Sequence, residues 1–329
     1  MNTGTPMNTF VWLLKREYWE NRGGFKLTPF IIALAFLALF VIVLITAELA
    51  AKQHGINVNG IQLDMLTQNL SPENMAKLNA AVDIGLLTLC FPIGIGLFFV
   101  TFFYALGSLY NDRSDRSVLF WKSLPISDTQ TVLAKVVAAS LIAPIFAVVA
   151  MIALQLTFLV LMTLFAALNG VNAISALWSP LHMIKLWLMM ALLIPVNALW
   201  ALPTIGWLLL CSSFVRSKPF LWALLLPVVA GVIVSWVNVM QQMSLPSGWF
   251  WQHIVGRALL SLVPGGWFDE ASFRTLEHAR GPEAFVGLFS LDTIGTVLTS
   301  TDFLVGAVAG VAMIAAAIYF RRQRTEAYA

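Results

Sequence analysis

Charged residues are scarce in this chain of 329 residues. Asp, Glu, Lys and Arg make up 11% of it, whereas they make up about 25% of an ordinary soluble protein. Apolar residues reach 59%, and the mean hydropathy is +0.84. A chain with so little charge cannot cover a water-facing surface. This excludes an ordinary soluble domain and indicates a membrane protein.

Cysteine is scarce as well, and the chain carries only Cys90 and Cys211. Two cysteines are too few for a disulfide framework. Each falls within a different apolar segment, and the two lie near opposite membrane surfaces, too far apart for a disulfide bond. We therefore interpret both as packing residues.

Sequence motifs that carry catalysis are missing. The chain holds no G-x-x-x-x-G-K-[ST] loop for nucleotide phosphates, no H-E-x-x-H, no C-x-x-C and no G-x-S-x-G. We expect a protein that binds no cofactor itself and is not itself an enzyme. His253, Glu277 and His278 have no metal-ligand spacing, so we expect no metal site. Basic residues interleaved with aromatics on a soluble segment are missing too, so we expect no nucleic-acid partner.

Long apolar segments dominate what is present. Six stretches reach the roughly 20 residues that a membrane-spanning helix needs. They lie at about 29–50, 84–109, 138–165, 186–212, 219–241 and 302–320. The sequence therefore predicts an all-α integral membrane protein with a single transmembrane domain over 1–329. The third and fourth spans are long enough to bend, and Pro144, Pro195 and Pro203 are candidate kinks.

The basic residues predict the orientation. Of the 19 Lys and Arg residues, 13 fall on the side of the N-terminus and the remaining 6 on the other side. Cells leave basic residues on the cytoplasmic side of a membrane. We therefore expect a multi-pass membrane protein with both termini in the cytoplasm.

The segment before the first span has the pattern of an amphipathic helix. Apolar and aromatic side chains recur at helical spacing, and basic side chains occupy other positions. The residues concerned are Phe10, Leu13, Leu14, Lys15, Arg16 and Tyr18. We predict an interfacial helix on the cytoplasmic surface. A tail that only supplies positive charge is the alternative.

The connection between the second and third spans is unusually charged for this chain. It reads LYNDRSDRSVLFWKSLPISDTQTVLAK over 109–135. Asp112 and Arg116 are four apart and predict a helical ion pair. Ser127 with Gln130 predicts a capping box that begins a new helix after a break at Pro125. Such a helix offers a partner protein both apolar area and charge, although a solvated loop explains the same residues.

This 109–135 stretch resembles the first cytoplasmic loop of the membrane subunits of type-2 ABC exporters. The amphipathic segment, the six spans and a long outer connection before the last span are similar to that family too. The resemblance implies a coupling loop over 110–131, whose helix sits in a groove of a separately encoded ATPase. The residues that would carry the coupling are Asp112, Arg113, Asp115, Arg116, Trp121, Lys122, Ser123, Leu124 and Pro125.

The same resemblance implies the assembly. Two membrane subunits, either two copies of this chain or this chain with a related one, would lie in the lipid bilayer of a bacterial inner membrane. They would work with two separate ATPase subunits. ATP and magnesium would bind to the ATPases, and the pair of permeases would move a substrate outward. The outer connection over 242–301 contains an apolar stretch that His253 and Arg257 make too polar to span. Related exporters imply re-entrant helices between spans five and six here.

Few polar side chains remain within the spans. Gln155 and Asn197 are uncharged, and we name them as candidates for a translocation path, with hydrogen bonds between helices as the alternative. Two other functions stay open. One is a membrane scaffold that binds a cytoplasmic protein without transport, and the other is an intramembrane enzyme using His253 and Glu277.

Overall fold

The structure is a computed structural model that describes residues 6–53, 72–170, 174–178, 180–241, 247–267 and 291–323. Within these residues the regular elements are all helices, and no strand occurs among them. Six of the helices are long and apolar enough to cross a membrane. The predicted all-α class and the six helices of membrane-spanning length are confirmed.

Twelve helices are described, and we number them in chain order. They are α1 (Pro6–Glu20), α2 (Thr28–Gln53), α3 (Pro72–Ser114), α4 (Ser117–Ser123), α5 (Asp128–Leu168), α6 (Ile174–Leu177), α7 (Pro180–Trp200), α8 (Leu202–Phe214), α9 (Pro219–Gln241), α10 (247–260), α11 (Leu291–Thr299) and α12 (Thr301–Gln323). Single π-helical turns precede α2 and interrupt α5 and α10.

Helices α3 and α5 are longer than the bilayer is thick. They contain 43 and 41 residues, which correspond to about 64 and 62 Å, against a hydrocarbon core of roughly 30 Å. Residues 110–114 and 128–131 of the predicted coupling loop are helical extensions of α3 and α5, and the extension of α5 matches the helix predicted to begin after Ser127. The connection between them shrinks to 115–127 and contains the short helix α4.

The predicted fourth span at 186–212 is not one helix. Helix α7 ends at Trp200, α8 begins at Leu202, and Ala201 lies between them. Pro203 stands in the first turn of α8, where it has no N–H to donate to the preceding turn. Pro203 is one of the candidate kinks that the sequence indicates, although hydropathy by itself does not register a break between two apolar helices.

Helix α8 forms the centre of the bundle, packed against α12 and α3. Ile205, Leu208 and Cys211 are fully buried in this core. The contact with α12 depends on two glycines, since a Cβ on Gly206 would lie 2.6 Å from the backbone oxygen of Gly310. Small residues allow helix backbones to approach closely in a membrane. The backbone approach fixes α8 against α12.

We expect Gly310→Ala to destabilise the protein, because the added Cβ would collide with the backbone of Leu202. Overpacking of this kind costs about 1–3 kcal/mol. Thermal unfolding in detergent measures the loss. Gly94→Ala is the matched control, since nothing lies within 4 Å of a Cβ on that helical glycine. Equal unfolding temperatures for the two variants would contradict the packing assigned to Gly310.

Candidate functional site

A buried cluster of charges joins four helices at one end of the bundle. We call it the ion cluster, and it consists of Glu17 on α1, Asp112 on α3, Asp128 and Lys135 on α5, and Arg321 on α12. The side chains of Glu17, Lys135 and Arg321 expose only 1%, 3% and 4% of their surface. The end of the bundle that holds this cluster is the charged end.

The distances within the ion cluster form an unbroken chain of contacts. Lys135 Nζ lies 3.2 Å from Glu17 Oε1 and 3.6 Å from Asp112 Oδ2. Arg321 Nη1 donates to Asp112 Oδ2 at 3.1 Å, and its Nε donates to Asp128 Oδ1 at 3.0 Å. Each buried cation therefore contacts two carboxylates. That arrangement offsets the cost of removing charges from water.

Glu17 receives two further contacts. Arg16 Nη2 donates to its Oε1 at 2.6 Å, and the Tyr104 hydroxyl donates to its Oε2 at 2.7 Å. Burial by itself raises the pKa of the Glu17 carboxyl, but Lys135 and Arg16 outweigh burial and hold the pKa below the ordinary value of 4.5. Glu17 is therefore a carboxylate at neutral pH. With Arg16 included, three cations face three carboxylates.

The loop after α3 does not form the ion pair that the sequence predicted. Arg116 adopts a left-handed backbone conformation with φ of 60° and leaves the helix. Its side chain is exposed, whereas Asp112 turns toward Lys135 and Arg321. The predicted Asp112 to Arg116 pair is wrong, because the spacing rule holds only while the helix continues through both residues.

Helix α4 is held on two sides by its neighbours. Val118 is completely buried. The guanidinium of Arg16 on α1 lies 3.9 Å from the centre of the Trp121 ring, and Lys122 Nζ donates to the Arg322 carbonyl of α12 at 3.3 Å. The first and last described helices of the chain therefore both contact α4.

The end of the loop follows the sequence pattern. Leu124 is extended with ψ of 149°, as expected for a residue before proline. Ser127 caps α5, and its hydroxyl accepts a hydrogen bond from the Gln130 N–H at 3.1 Å. The predicted break at Pro125 and the serine cap are confirmed. The helix that begins there runs directly into the third span.

The predicted coupling residues divide into exposed and buried groups. The exposed members are Asp115, Arg116, Lys122, Ser123, Leu124 and Pro125. Leu119, outside the predicted set, adds an apolar side chain that is 55% exposed. Trp121 is half-buried beneath Arg16. We call these six exposed residues, together with Leu119, the loop surface.

Arg113 belongs to the interior instead. It is 4% exposed, and its Nη2 donates to the carbonyls of Ser212 at 2.6 Å and Val215 at 3.0 Å. Those carbonyls end α8, where a cation also interacts favourably with the helix dipole. Arg113 therefore ties α3 to α8 and does not reach the loop surface.

The apolar residues of the predicted interfacial helix pack on the protein. Leu13 is buried, and the Tyr18 ring stacks on Phe146 of α5 at 5.1 Å. Phe10 and Leu14 are half-buried, and Lys15 is exposed. The face that the sequence assigned to lipid is thus the face that contacts α5, and the location of α1 in a membrane interface stays a prediction.

Gln155 connects three helices in the middle of the bundle. It is fully buried, and its Nε2 donates to the Leu86 carbonyl of α3 at 3.1 Å. Its Oε1 accepts a hydrogen bond from Trp187 Nε1 of α7 at 2.8 Å. This geometry matches the alternative of a hydrogen bond between helices. Asn197 is buried near the α7–α8 break, and its Oδ1 has no hydrogen-bond partner among the described residues.

His253, which belongs to the enzyme alternative, lies at the other end of the bundle. His253 Nε2 lies 3.2 Å from Asp302 Oδ2. Glu277 and His278 lie outside the described residues. Among the residues that are described, no group of three or more His, Cys, Asp or Glu side chains could hold a metal ion. Arg257 stacks 3.5 Å from the centre of the Trp200 ring.

Sequence reasoning missed the ion cluster. The contacts among Glu17, Lys135 and Arg321 were not predicted, because these residues lie far apart in the chain and no local pattern links them. One signal was present. Glu17 shares its helical face with Leu13, and an acid on the apolar face of a helix implies a buried cation.

No family model matches the chain, and neither a curated protein nor a solved structure matches it. The resemblance of the 109–135 stretch and the geometry of the charged end are the observations that bear on function.

We expect Glu17→Gln to lower the stability at pH 7 by about 3–5 kcal/mol, because Lys135 and Arg16 lose the buried carboxylate that compensates them. The pKa of Glu17 is below 4.5 in the folded chain, so its contribution is complete above that pH and declines as the pH falls through the folded value. Thermal unfolding in detergent, measured from pH 7 to pH 3, should show that the variant loses less stability on acidification than the parent.

The matched control is Glu20→Gln, one turn along α1. Its side chain is 51% exposed, and burial raises its pKa. Because its pKa is raised, the contribution of Glu20 to stability has the opposite dependence on pH. The stability of the Glu20→Gln variant at pH 7 should therefore remain close to that of the parent. If Glu17→Gln and Glu20→Gln unfold alike, the ion cluster does not stabilise the charged end.

Proposed function

We propose that the chain is the permease subunit of an ATP-driven exporter of the bacterial inner membrane. In this proposal both termini and the loop surface are cytoplasmic. Two permease chains, identical or related, work with two separate ATPase subunits that bind ATP and magnesium. The observation that carries the proposal is a short helix, α4, whose outer side is exposed while its inner side is held by α1 and α12.

These contacts suit a helix that transmits movement from an ATPase to the membrane-spanning helices. A force on α4 would reach α1 through Trp121 and Arg16, and α12 through Lys122 and the Arg322 carbonyl. The ion cluster connects the same two helices to α3 and α5. Movement of the loop surface would therefore displace four helices together. Alternating access by rigid movement of helix groups requires that linkage.

The re-entrant helices of the outer connection are also part of the proposal. The Thr204 hydroxyl of α8 donates to the Arg257 carbonyl of α10 at 2.8 Å, and it accepts a hydrogen bond from the Ser261 N–H at 3.0 Å. Thr204 lies just after the α7–α8 break, well inside the predicted fourth span. These contacts support a helix α10 that enters the membrane from the outer side and returns, and that covers the exit route.

The orientation predicts which positions an impermeant maleimide can label in intact cells. In a Cys90→Ala/Cys211→Ala background, Lys52→Cys should react, and Ser114→Cys and Ser217→Cys should not. All three parent side chains are exposed, so access to the thiol depends on the side of the membrane. Permeabilised cells provide the control, in which all three should react. Labelling of Ser114→Cys in intact cells would place the loop surface outside and contradict coupling to an ATPase.

The loop surface predicts which substitutions uncouple the complex. Arg116→Glu and Leu119→Asp should weaken binding of the ATPase that co-purifies with the parent chain, by about 2–5 kcal/mol if the site is desolvated. Both residues are exposed, so insertion and thermal stability should not change. Co-purification, stimulation of ATP hydrolysis and export are measured together.

Arg216→Glu is the matched control, because it makes the same charge change on an exposed residue of the charged end outside the loop surface. It should retain binding and export. A scaffold would lose binding in the loop variants, but its parent chain would show no ATP-dependent export. Normal binding and export in both loop variants, or a parent chain that captures no ATPase, would overturn the proposed function.

A further inference from the structure

One face of α1 is left uncovered by the bundle. Leu13 and Glu17 point inward and are buried, while Trp12 and Trp19 are 67% and 62% exposed. An exposed apolar patch marks a site of contact with a partner or a membrane. The exposed face is not the one that the sequence assigned to lipid.

The exposed aromatics alternate with cations along a single line. Trp12, Lys15, Trp19 and Arg22 follow one another at spacings of three, four and three residues, which is one face of a helix. Lys15 Nζ lies 4.5 Å from the centre of the Trp12 ring, and Arg22 Cζ lies 5.9 Å from that of Trp19. These four residues are the Trp-cation stripe.

The depth of the stripe follows from its neighbours. Tyr18, adjacent to Trp19, stacks on Phe146 inside the long apolar helix α5. The π-helical turn Gly23–Leu27 then leads directly into α2, with Phe25 buried in the bundle. The stripe therefore lies at the level where the apolar helices begin. Trp and Arg side chains are typical of membrane surfaces at this level.

The stripe also leads, past the exposed Lys26, into an apolar surface. Leu27, Ile31 and Leu34 follow it on the exposed side of the first apolar helix and are more than half exposed. A surface this apolar in a membrane-spanning helix contacts acyl chains. This continuity favours lipid over a soluble protein as the occupant of the stripe, because the same lipid molecules that cover α2 have their headgroups at the stripe.

We propose that the Trp-cation stripe binds the phosphate groups of anionic phospholipids in the leaflet at the charged end. The aromatic rings occupy the headgroup region, and Lys15 and Arg22 attract negatively charged lipid in preference to zwitterionic lipid. Each cation near an anionic membrane surface increases the preference by roughly fivefold. The stripe anchors α1, and with α1 it positions the ion cluster. This site does not depend on the ATPase assignment and would serve a scaffold equally well.

Fluorescence quenching by brominated lipid tests the proposal on the full chain. The protein is placed in nanodiscs of zwitterionic phosphatidylcholine containing a fixed fraction of phosphatidylglycerol, and bromine is carried either by the zwitterionic or by the anionic lipid. The difference between the parent and Trp12→Phe/Trp19→Phe isolates the emission of the stripe. We expect brominated phosphatidylglycerol to quench this emission several-fold more than its share of the lipid accounts for.

Lys15→Gln/Arg22→Gln should abolish the excess quenching while quenching by the zwitterionic lipid persists, and 0.5 M salt should reduce it. Trp236 is the matched control, because it is 66% exposed on α9 and belongs to no such stripe, so its emission should show no lipid preference. Quenching of the stripe in proportion to lipid content would overturn the anionic preference. Absence of quenching by either lipid would show a surface turned away from the bilayer, as for a bound protein, and would overturn the proposal.

Discussion

The charged end of this bundle depends on the compensation of buried charge. Lys135 and Arg321 lie in surroundings where an isolated cation is strongly unfavourable, and each is stable there because carboxylates from other helices contact it. The four helices that supply the charges must therefore stay together, since separation of any one leaves a buried charge without its partner. These contacts are directional, so they also fix the register of the four helices.

Helix α8 makes contacts with both the charged end and the opposite end of the bundle. At its last turn the carbonyls of Ser212 and Val215 accept hydrogen bonds from Arg113, and near its start Thr204 bonds to α10. A helix of 13 residues is only about 20 Å long. Glycines at 206 and 310 let the backbones of α8 and α12 approach closely. A displacement of the loop after α3 would therefore reach α10 through a short path of close contacts.

The uncovered face of α1 adds a further constraint on the same helix. Its inner side contributes Glu17 to the ion cluster, and its outer side presents tryptophans paired with cations. The membrane and the bundle would thus act on opposite sides of one helix. Because α1 also contacts α4 through Arg16 and Trp121, the lipid composition of that leaflet could influence the position of the loop surface.

Much of the architecture was predictable from the sequence, because a long run of apolar residues crosses a membrane whatever its neighbours do. The six long helices, the serine cap at Ser127 and the break at Pro125 are of this kind, since each depends on residues close together in the chain. Tertiary structure decided the rest. The inward turn of Asp112 and Arg113 and the contact of Glu17 with Lys135 depend on residues tens to hundreds of positions apart. The sequence around a charged residue on a helix looks the same whether water or a buried partner compensates the charge. Only the folded arrangement of the helices determines which of the two the charge contacts.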